Sequence, residues 1–342
     1  MHDLTRSPDT SPLSLYRYRD GIYAADLLAA AIVEFDLFTW LEARPATFAE
    51  MCVAFEWHVR PADVLLTLLV ARGYLQRMDG RYAVTPTARE HLCAGSPWHL
   101  GPYFAALRER VFVADFVRVL RTGRPANWGG DDAAGDWHEA MRDEHFARRF
   151  TAAMDARGLY LGEALARTLD LGGHRRVLDI GGGSGIYACA LAARHPHLTA
   201  TVVDQDAVAP IATTLVRERG LAARVDVVAL DFFRDPLPAD HDVHLFSNVL
   251  HDWDEPEVRH LLAASFGALP PGGLLVIHDA FIDADKAGPV SVAEYSALLM
   301  HASHGKCYAT SEYERLLRAT GFEPLAYADT VADRGVMTAR RP

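Results

Sequence analysis

The spacing of apolar and polar positions changes along the chain. Over the first hundred residues it follows a helical period, with apolar faces in segments 24–41, 47–55 and 61–72. The stretch GYLQRMDGRYAVT then predicts a β-hairpin that turns at Asp79 and Gly80. Helices followed by a hairpin form the outline of a winged helix. We therefore expect a mostly helical, winged-helix-like domain over residues 1–100.

From Arg176 onward, short apolar runs alternate with helical segments. Five strands are predicted, in the order RRVLDI, TATVVDQD, VDVVALDFF, DVHLFSNVL and GGLLVIHDAFI. Apolar strands separated by helices indicate a parallel sheet that is covered on both faces. The predicted fold class is therefore α/β, with a Rossmann-like domain over residues 101–342.

Composition narrows the class of protein. The chain has 342 residues, of which 50% are apolar, so it can bury a large core in two domains. Its N-terminus lacks the features of a signal peptide, and the longest apolar run, Leu27 to Val33, is too short to span a bilayer. The four cysteines form no CxxC pair, as expected for reduced thiols. These features predict a cytoplasmic protein without a membrane partner.

Nucleic acid is not an expected partner. The formal net charge is −11, and the candidate recognition helix, RPADVLLTLLVARGYL, is mainly apolar. A helix that reads DNA needs a cationic, hydrogen-bonding face. The apolar helices are therefore predicted to pack against another subunit.

Acidic side chains follow three of the predicted strands. Asp179 precedes a glycine-rich turn, where a carboxylate would repel phosphate but could bind an ammonium group. Asp204 closes the second strand and could accept hydrogen bonds from two ribose hydroxyls. Asp231 and Phe232 follow the third and offer a carboxylate and a ring face to a purine. Together they predict an adenosine that carries an amino acid and no phosphate.

Five stretches, VLDIGGGSG, VVDQ, LDFF, NVLHDWDE and LPPGGLLVIHD, resemble one family. It is the class I S-adenosylmethionine-dependent methyltransferases of the caffeate and hydroxyindole O-methyltransferase type, which includes bacterial antibiotic-tailoring enzymes. The resemblance covers nearly the whole chain. It implies S-adenosylmethionine as cofactor, a small-molecule acceptor, and a homodimer formed through the N-terminal domain.

The resemblance also implies roles for individual residues. Asp179 would hold the methionine part of the cofactor, Asp204 the ribose, and Asp231 with Phe232 the adenine. Further cofactor contacts are expected at Gly181, Gly183 and Ser247, the last of which stands where plant members have a lysine. The residues expected to contact the acceptor are Phe150, Met154, Leu298 and Ala302.

His251, within HDW, matches the catalytic base of the family. A phenol must lose its proton as the methyl group is transferred, and a neutral imidazole has a pKa suited to accepting it. Asp252 adds a carboxylate beside this histidine and is the second predicted catalytic residue.

The stretch HGKCYA departs from the family pattern, which usually has GGKERT at this place. The first glycine is replaced by His304, the glutamate by Cys307 and the arginine by Tyr308. In the family, the glutamate braces the catalytic histidine. Its loss leaves nothing obvious to fix the tautomer of His251.

A metal ion is one possible replacement for the brace. His251 and His304, with Asp252 nearby, resemble two-histidine sites for iron or zinc that leave positions open. A 2-oxo acid could chelate such a metal and lose a proton from the adjacent carbon. The first prediction is therefore C-methylation of an arylpyruvate-like 2-oxo acid. O-methylation of a phenolic or polyketide hydroxyl, with His251 as general base, is the alternative.

Two other classes of function stay open at this point. A dimeric regulator would bind S-adenosylmethionine without turnover. A tailoring enzyme that uses the cofactor for its charge would form an oxygen-dependent product. The sequence does not identify the acceptor.

Overall fold

The computed structural model describes residues 3–126 and 140–342. They form two compact units. The N-terminal unit contains residues 15–126 and 282–311, and the sheet unit contains residues 3–14, 140–281 and 312–342. This division does not follow the predicted boundary at residue 100, because two later segments, 101–126 and 282–311, group with the N-terminal helices.

The described residues form helices and strands with the following bounds. The helices are α1 (Leu13–Asp20), α2 (Ala24–Val33), α3 (Leu37–Ala43), α4 (Phe48–Phe55), α5 (Val59–Ala71), α6 (Pro86–Leu92), α7 (Gly101–Ala105), α8 (Val111–Thr122), α9 (Glu144–Thr168), α10 (Ile186–Arg194), α11 (Ala209–Glu218), α12 (Glu255–Ala268), α13 (Val290–Ala302) and α14 (Thr310–Thr320). The strands are β1 (Ala46–Thr47), β2 (Leu75–Met78), β3 (Arg81–Val84), β4 (Arg176–Ile180), β5 (Thr199–Asp204), β6 (Val225–Ala229), β7 (Val243–Ser247), β8 (Leu274–Asp279), β9 (Glu323–Asp329) and β10 (Gly335–Arg340).

The N-terminal unit contains the predicted helices and hairpin. Its small sheet has the order β1-β3-β2. Asp79 and Gly80 join β2 to β3 with φ values of 50° and 75°, as a type I′ turn requires. The predicted helical segment 24–41 is divided between α2 and α3, because Asp36 has a left-handed backbone with φ of 45°.

Helix α5, the candidate recognition helix, contributes to the core of the N-terminal unit. Its residues Val64 to Leu69 are all buried. The guanidinium of Arg60 is also buried and donates to the carbonyl oxygens of Gly305 and Gly123, at 2.8 and 2.7 Å. The basic group at the start of α5 is therefore used within the unit.

The sheet unit has a Rossmann-like fold. Its seven strands have the order β6-β5-β4-β7-β8-β10-β9. The five predicted strands are confirmed as β4 to β8 and are parallel to one another. Every residue of β7 is buried, as expected for a central parallel strand. The sheet continues with β10 and β9, which are antiparallel to their neighbours and were not predicted.

Two glycines let α9 approach α10 closely. A Cβ atom added at Gly158 would lie 2.3 Å from Cγ2 of Ile186, and one added at Gly162 would lie 3.2 Å from Cβ of Ala190. Larger residues at either position would push the helices apart. This packing fixes the helix that follows the glycine-rich turn.

None of the helices within residues 3–126 and 140–342 combines the length and the apolar composition that a membrane crossing requires.

Candidate active site

The glycine-rich turn joins β4 to α10. Gly181, Gly183 and Gly185 all have left-handed backbones, with φ values of 67°, 57° and 72°. A Cβ atom at Gly181 would lie 3.0 Å from Cγ2 of Val249 and 3.6 Å from Cε1 of Phe232. Glycine at this position therefore avoids a tight contact with Val249 and lies beside the ring of Phe232, whereas a Cβ atom at Gly183 would meet no atom within 4 Å.

Asp204, the last residue of β5, lies against the same turn. Its Oδ2 accepts a hydrogen bond from the backbone N–H of Gly183, and its Oδ1 accepts one from the backbone N–H of Gln205, both at 2.8 Å. Burial raises the pKa of Asp204, and these two hydrogen bonds oppose the rise. Each oxygen retains a second lone pair, so the carboxylate has the capacity to accept two ribose hydroxyls.

Asp231 and Phe232 follow β6. Asp231 Oδ1 accepts the amide of Phe233 at 3.0 Å, while its Oδ2 lies 3.5 Å from Nε of Arg234. The ring of Phe232 is largely buried, and its centroid lies 5.2 Å from that of Phe233. The structure therefore brings an aromatic ring to the glycine turn, where an adenine ring could stack.

Asp179 lies near the end of β4, just before the glycine-rich turn. Its side chain is fully buried beneath the turn, where a Cβ atom at Gly182 would lie 2.7 Å from its Cγ. Its Oδ2 accepts the amide of Ala188 at 3.3 Å. Its Oδ1 is buried and accepts no hydrogen bond from the described residues. The carboxylate therefore supports the turn and keeps one acceptor, and its contact with an ammonium group stays a prediction.

Ser247, the last residue of β7, is hydrogen-bonded to its neighbours. Its Oγ lies 2.8 Å from Nδ1 of His278 and accepts a hydrogen bond from Nδ2 of Asn248 at 3.2 Å. The hydroxyl is thus engaged in a buried hydrogen-bond network. A cofactor contact at Ser247 stays a prediction.

His251 lies in a 3₁₀ turn, Leu250–Asp252, just after β7. Its Nδ1 forms a hydrogen bond with Oδ1 of Asp279, the last residue of β8. The same oxygen accepts the amide of Ala280 at 2.8 Å, which orients the carboxylate. The sequence analysis identifies no side chain that fixes this imidazole and offers a metal ion as one possibility. Asp279, which it missed, supplies the brace.

The brace determines the tautomer of His251. Since an ionised carboxylate only accepts hydrogen bonds, Nδ1 carries a proton and Nε2 carries the lone pair. The side chains of His251 and Asp279 are only 3% and 1% exposed, and the low dielectric of this buried setting strengthens their interaction. Oδ1 of Asp252 lies 3.9 Å from Nε2, so a second carboxylate faces the nitrogen that would accept a proton.

The predicted metal site is not confirmed. Within residues 3–126 and 140–342, no group of three or more His, Cys, Asp or Glu side chains could hold a metal ion. His304 lies in the N-terminal unit, in the loop after α13. The nearby His301 packs against the rings of Tyr23 and Phe116, with centroids at 4.8 and 5.3 Å, and its Nε2 lies 3.2 Å from Asp115.

The loop HGKCYA is anchored within the N-terminal unit. Nζ of Lys306 lies 2.5 Å from Oδ2 of Asp63, which also binds Lys286. Burial alone would raise the pKa of Asp63, but the two lysines outweigh it and lower the pKa. The amide of Cys307 donates to Oγ of Ser296 at 3.0 Å. These contacts fix the loop without the glutamate of the family pattern.

The four residues predicted to contact the acceptor belong to two helices. Phe150 and Met154 lie on α9 in the sheet unit and are partly buried, with the ring of Phe150 stacked on that of Phe146 at 6.1 Å. Leu298 and Ala302 lie on one face of α13 in the N-terminal unit and are buried. Their contact with an acceptor stays a prediction.

Comparison with known proteins adds to this geometry. The chain matches the O-methyltransferase domain over residues 114–323. It is 37% identical over 315 residues to 3-hydroxy-5-methyl-1-naphthoate 3-O-methyltransferase of Streptomyces sahachiroi. This alignment covers 91% of this chain and 89% of the relative. The chain is 29% identical over 315 residues to L-tyrosine C(3)-methyltransferase of Streptomyces lavendulae, with coverage of 89% and 85%. A crystal structure of an O-methyltransferase family 2 protein from Planctomyces limnophilus in complex with apigenin has a TM-score of 0.90 and 28% identity, over 100% of this chain and 99% of the other.

The glycine turn, the strand-end carboxylates and the braced histidine thus occur in a chain that belongs to the O-methyltransferase family. The protein is an S-adenosylmethionine-dependent methyltransferase of secondary metabolism.

Proposed function

We propose that this enzyme transfers a methyl group to a phenolic hydroxyl of an aromatic natural product, with His251 as general base. The hydrogen bond between His251 and Asp279 carries the proposal, because it gives the imidazole the tautomer and orientation that a base requires. The relative named for 3-O-methylation of a hydroxynaphthoate supports an aromatic hydroxyl as acceptor.

The cofactor is proposed to bind around the glycine turn. Asp204 would accept hydrogen bonds from the ribose hydroxyls, and Phe232 with Asp231 would hold the adenine. The bare backbone of Gly181 and Gly183 would leave room for the methionine part. Bound S-adenosylmethionine supplies a methyl group on a positively charged sulfur, which makes the methyl carbon electrophilic.

His251 would act on the acceptor through Nε2. The acceptor hydroxyl would donate a hydrogen bond to this nitrogen, and Nε2 would take up its proton as the oxygen is methylated. Bound S-adenosylmethionine would supply the methyl group and retain, on sulfur, the electron pair of the carbon–sulfur bond. Asp279 stabilises the resulting imidazolium through Nδ1, and Asp252, 3.9 Å from Nε2, adds a second negative charge.

Metal-dependent C-methylation of a 2-oxo acid is the less favoured reaction, because the sequence predicts it from a missing brace and Asp279 provides one. C-methylation of a phenol is a separate matter, because a phenolate carries negative charge on its ortho carbons as well as on oxygen. The relative named L-tyrosine C(3)-methyltransferase makes this distinction important. A test must therefore locate the transferred methyl group.

An acceptor screen tests the proposal. Hydroxynaphthoic acids, other phenols and arylpyruvates are each incubated with enzyme and S-adenosylmethionine, with and without a chelator. We expect O-methylation of phenols that is insensitive to the chelator. His251→Ala should lower kcat about 10²- to 10⁴-fold without changing cofactor affinity. His145→Ala, at an exposed histidine of α9, is the control and should retain full activity.

Other outcomes would contradict the proposal. Methylation of arylpyruvates alone, lost on chelation, would restore the metal-dependent reaction. Cofactor binding without turnover of any acceptor would favour a regulatory protein. A product that appears only with oxygen would favour a tailoring reaction other than methyl transfer.

The enzyme is also proposed to form a homodimer through its N-terminal unit. This unit exposes several large apolar side chains, namely Leu15, Tyr18, Trp98, Tyr103 and Val111. Exposed apolar groups of this size often mark protein interfaces. A second copy of the chain is the partner that the family resemblance implies.

A further inference from the structure

Asn248 lies between β7 and the turn that carries His251. Its backbone has a φ of 54°, in the left-handed region that residues other than glycine rarely adopt. Its backbone N–H donates to the carbonyl oxygen of His278 at 2.8 Å, so the backbone hydrogen bonds between β7 and β8 extend to this residue. His278 immediately precedes Asp279. The main chain of Asn248 is thus attached next to the residue that braces the base.

The side chain of Asn248 is held on both ends. Its Nδ2 donates to the hydroxyl of Tyr187 at 3.1 Å and to Oγ of Ser247 at 3.2 Å. Its Oδ1 accepts a hydrogen bond from Nε of Arg334 at 3.4 Å. The residue is only 8% exposed. A buried amide whose donor and acceptor both have partners resists displacement, because moving it would leave polar groups unsatisfied.

The partners of Asn248 connect it a second time to β8. Oγ of Ser247 lies 2.8 Å from Nδ1 of His278, and the ring of Tyr187 packs edge-on against His278 with centroids 5.5 Å apart. Burial lowers the pKa of His278 to about 3, so this imidazole is neutral at physiological pH. The network therefore fixes the ends of β7 and β8 relative to each other.

We propose that Asn248 is a positioning residue of the reaction, which sets the register between the strand ends that carry His251 and Asp279. This inference rests on the proposed role of His251 as general base. Asn248 acts through the backbone bond to His278 and through the amide contacts to Tyr187 and Arg334. Displacing the imidazole from its carboxylate misaligns Nε2 with the acceptor hydroxyl.

The substitution Asn248→Gly distinguishes the contribution of the side chain from that of the backbone. Glycine adopts a positive φ without strain, so the variant retains the backbone bend and loses only the side-chain amide. We expect kcat on weakly acidic phenols to fall about 10- to 100-fold, with unchanged affinity for S-adenosylmethionine. Tyr187→Phe removes one partner of the amide and should reproduce part of this loss. It keeps the inference testable if the glycine variant folds poorly.

The positioning role is tested by measuring how the loss in kcat depends on the acidity of the acceptor phenol. A phenol that is neutral at the assay pH needs the base, whereas a nitrophenol that is already ionised does not. The loss in Asn248→Gly should therefore be large for neutral phenols and nearly vanish for ionised ones. An equal loss on every acceptor, or no loss on any, would overturn the positioning role.

Two further variants complete the design. Ser265→Ala, on α12, removes a different buried contact to β7, namely the 2.9 Å hydrogen bond between Oγ of Ser265 and Nδ1 of His244. It should lower stability without changing the dependence on phenol acidity. His251→Ala should show the same dependence as Asn248→Gly, but more steeply. If His251→Ala shows no loss on neutral phenols, the proposed base is wrong, which is a result distinct from failure of the Asn248 variants alone.

Discussion

The substitution Asp179→Asn should stabilise the cofactor-free enzyme as the pH rises. Burial raises the pKa of Asp179 from 3.8 to about 7; the amide of Ala188 opposes the rise, and the charge of Asp204 adds to it. Between these two pH values the unfolded chain releases a proton that the folded protein keeps. Unfolding therefore becomes easier as the pH increases. The stability that this carboxyl provides is complete below pH 3.8 and lost above about pH 7.

The size of the effect follows from the shift. Each pH unit corresponds to about 1.4 kcal/mol, so a shift of about three units gives an upper limit of about 4 kcal/mol. Asparagine cannot ionise, and its side-chain oxygen can still accept the amide of Ala188. The free energy of unfolding of Asp179→Asn, relative to the parent, should thus rise by up to about 4 kcal/mol between about pH 4 and pH 8.

Scanning calorimetry of both proteins across this pH range measures the difference. For a unit of this size, 1 kcal/mol corresponds to about 2–4 °C in melting temperature. The gap between the melting temperatures of variant and parent should therefore widen by up to about 8–16 °C toward high pH. Asp206→Asn, at an exposed position, is the control and should show a constant gap. A constant gap for Asp179→Asn would refute the argument, since the buried carboxyl would then ionise at its ordinary pKa.

Three further predictions concern the cofactor, the base and the dimer. Asp204→Ala removes the proposed ribose acceptor and should weaken cofactor binding by about 1.5–3 kcal/mol in calorimetry; Asp206→Ala should not, and unchanged affinity in Asp204→Ala would rule out the assignment. Asp279→Ala removes the brace of the base and should lower kcat about 10- to 100-fold at constant cofactor affinity. An equal loss of affinity would instead indicate a disturbed cofactor site. The parent should be a dimer in light scattering and the double variant Tyr18→Glu/Trp98→Glu largely monomeric, whereas a monomeric parent at micromolar concentration would count against the proposed interface.

The sequence predicts the central strands of the sheet well because their physical setting is simple. Parallel strands such as β7 are buried on both faces and therefore appear as continuous apolar runs. Strand β9 has no such run: it is an edge strand, and most of its side chains are exposed. Helix boundaries were less clear for a similar reason. The break at Asp36 depends on a single left-handed residue, which leaves the apolar spacing unchanged.

The candidate site shows a different limit. The glycine turn and Asp204 follow from local spacing, and the structure brings them together. The brace of His251 does not follow from spacing, because the family pattern directs attention to position 307. Asp279 is visible as the last letter of VIHD, at the end of the strand beside β7. Recognising it requires the register of the two strands, since residues 28 positions apart meet only in the folded sheet.

The position of the transferred methyl group tests the central claim most directly. A hydroxynaphthoic acid is incubated with S-adenosylmethionine labelled with ¹³C in its methyl group, and the product is examined by NMR. We predict a ¹³C-methoxy resonance that forms in the presence of chelator and is greatly reduced with His251→Ala. A labelled methyl group on a ring carbon of the hydroxynaphthoic acid would contradict the account, as would one that forms only on an arylpyruvate and only when metal is present.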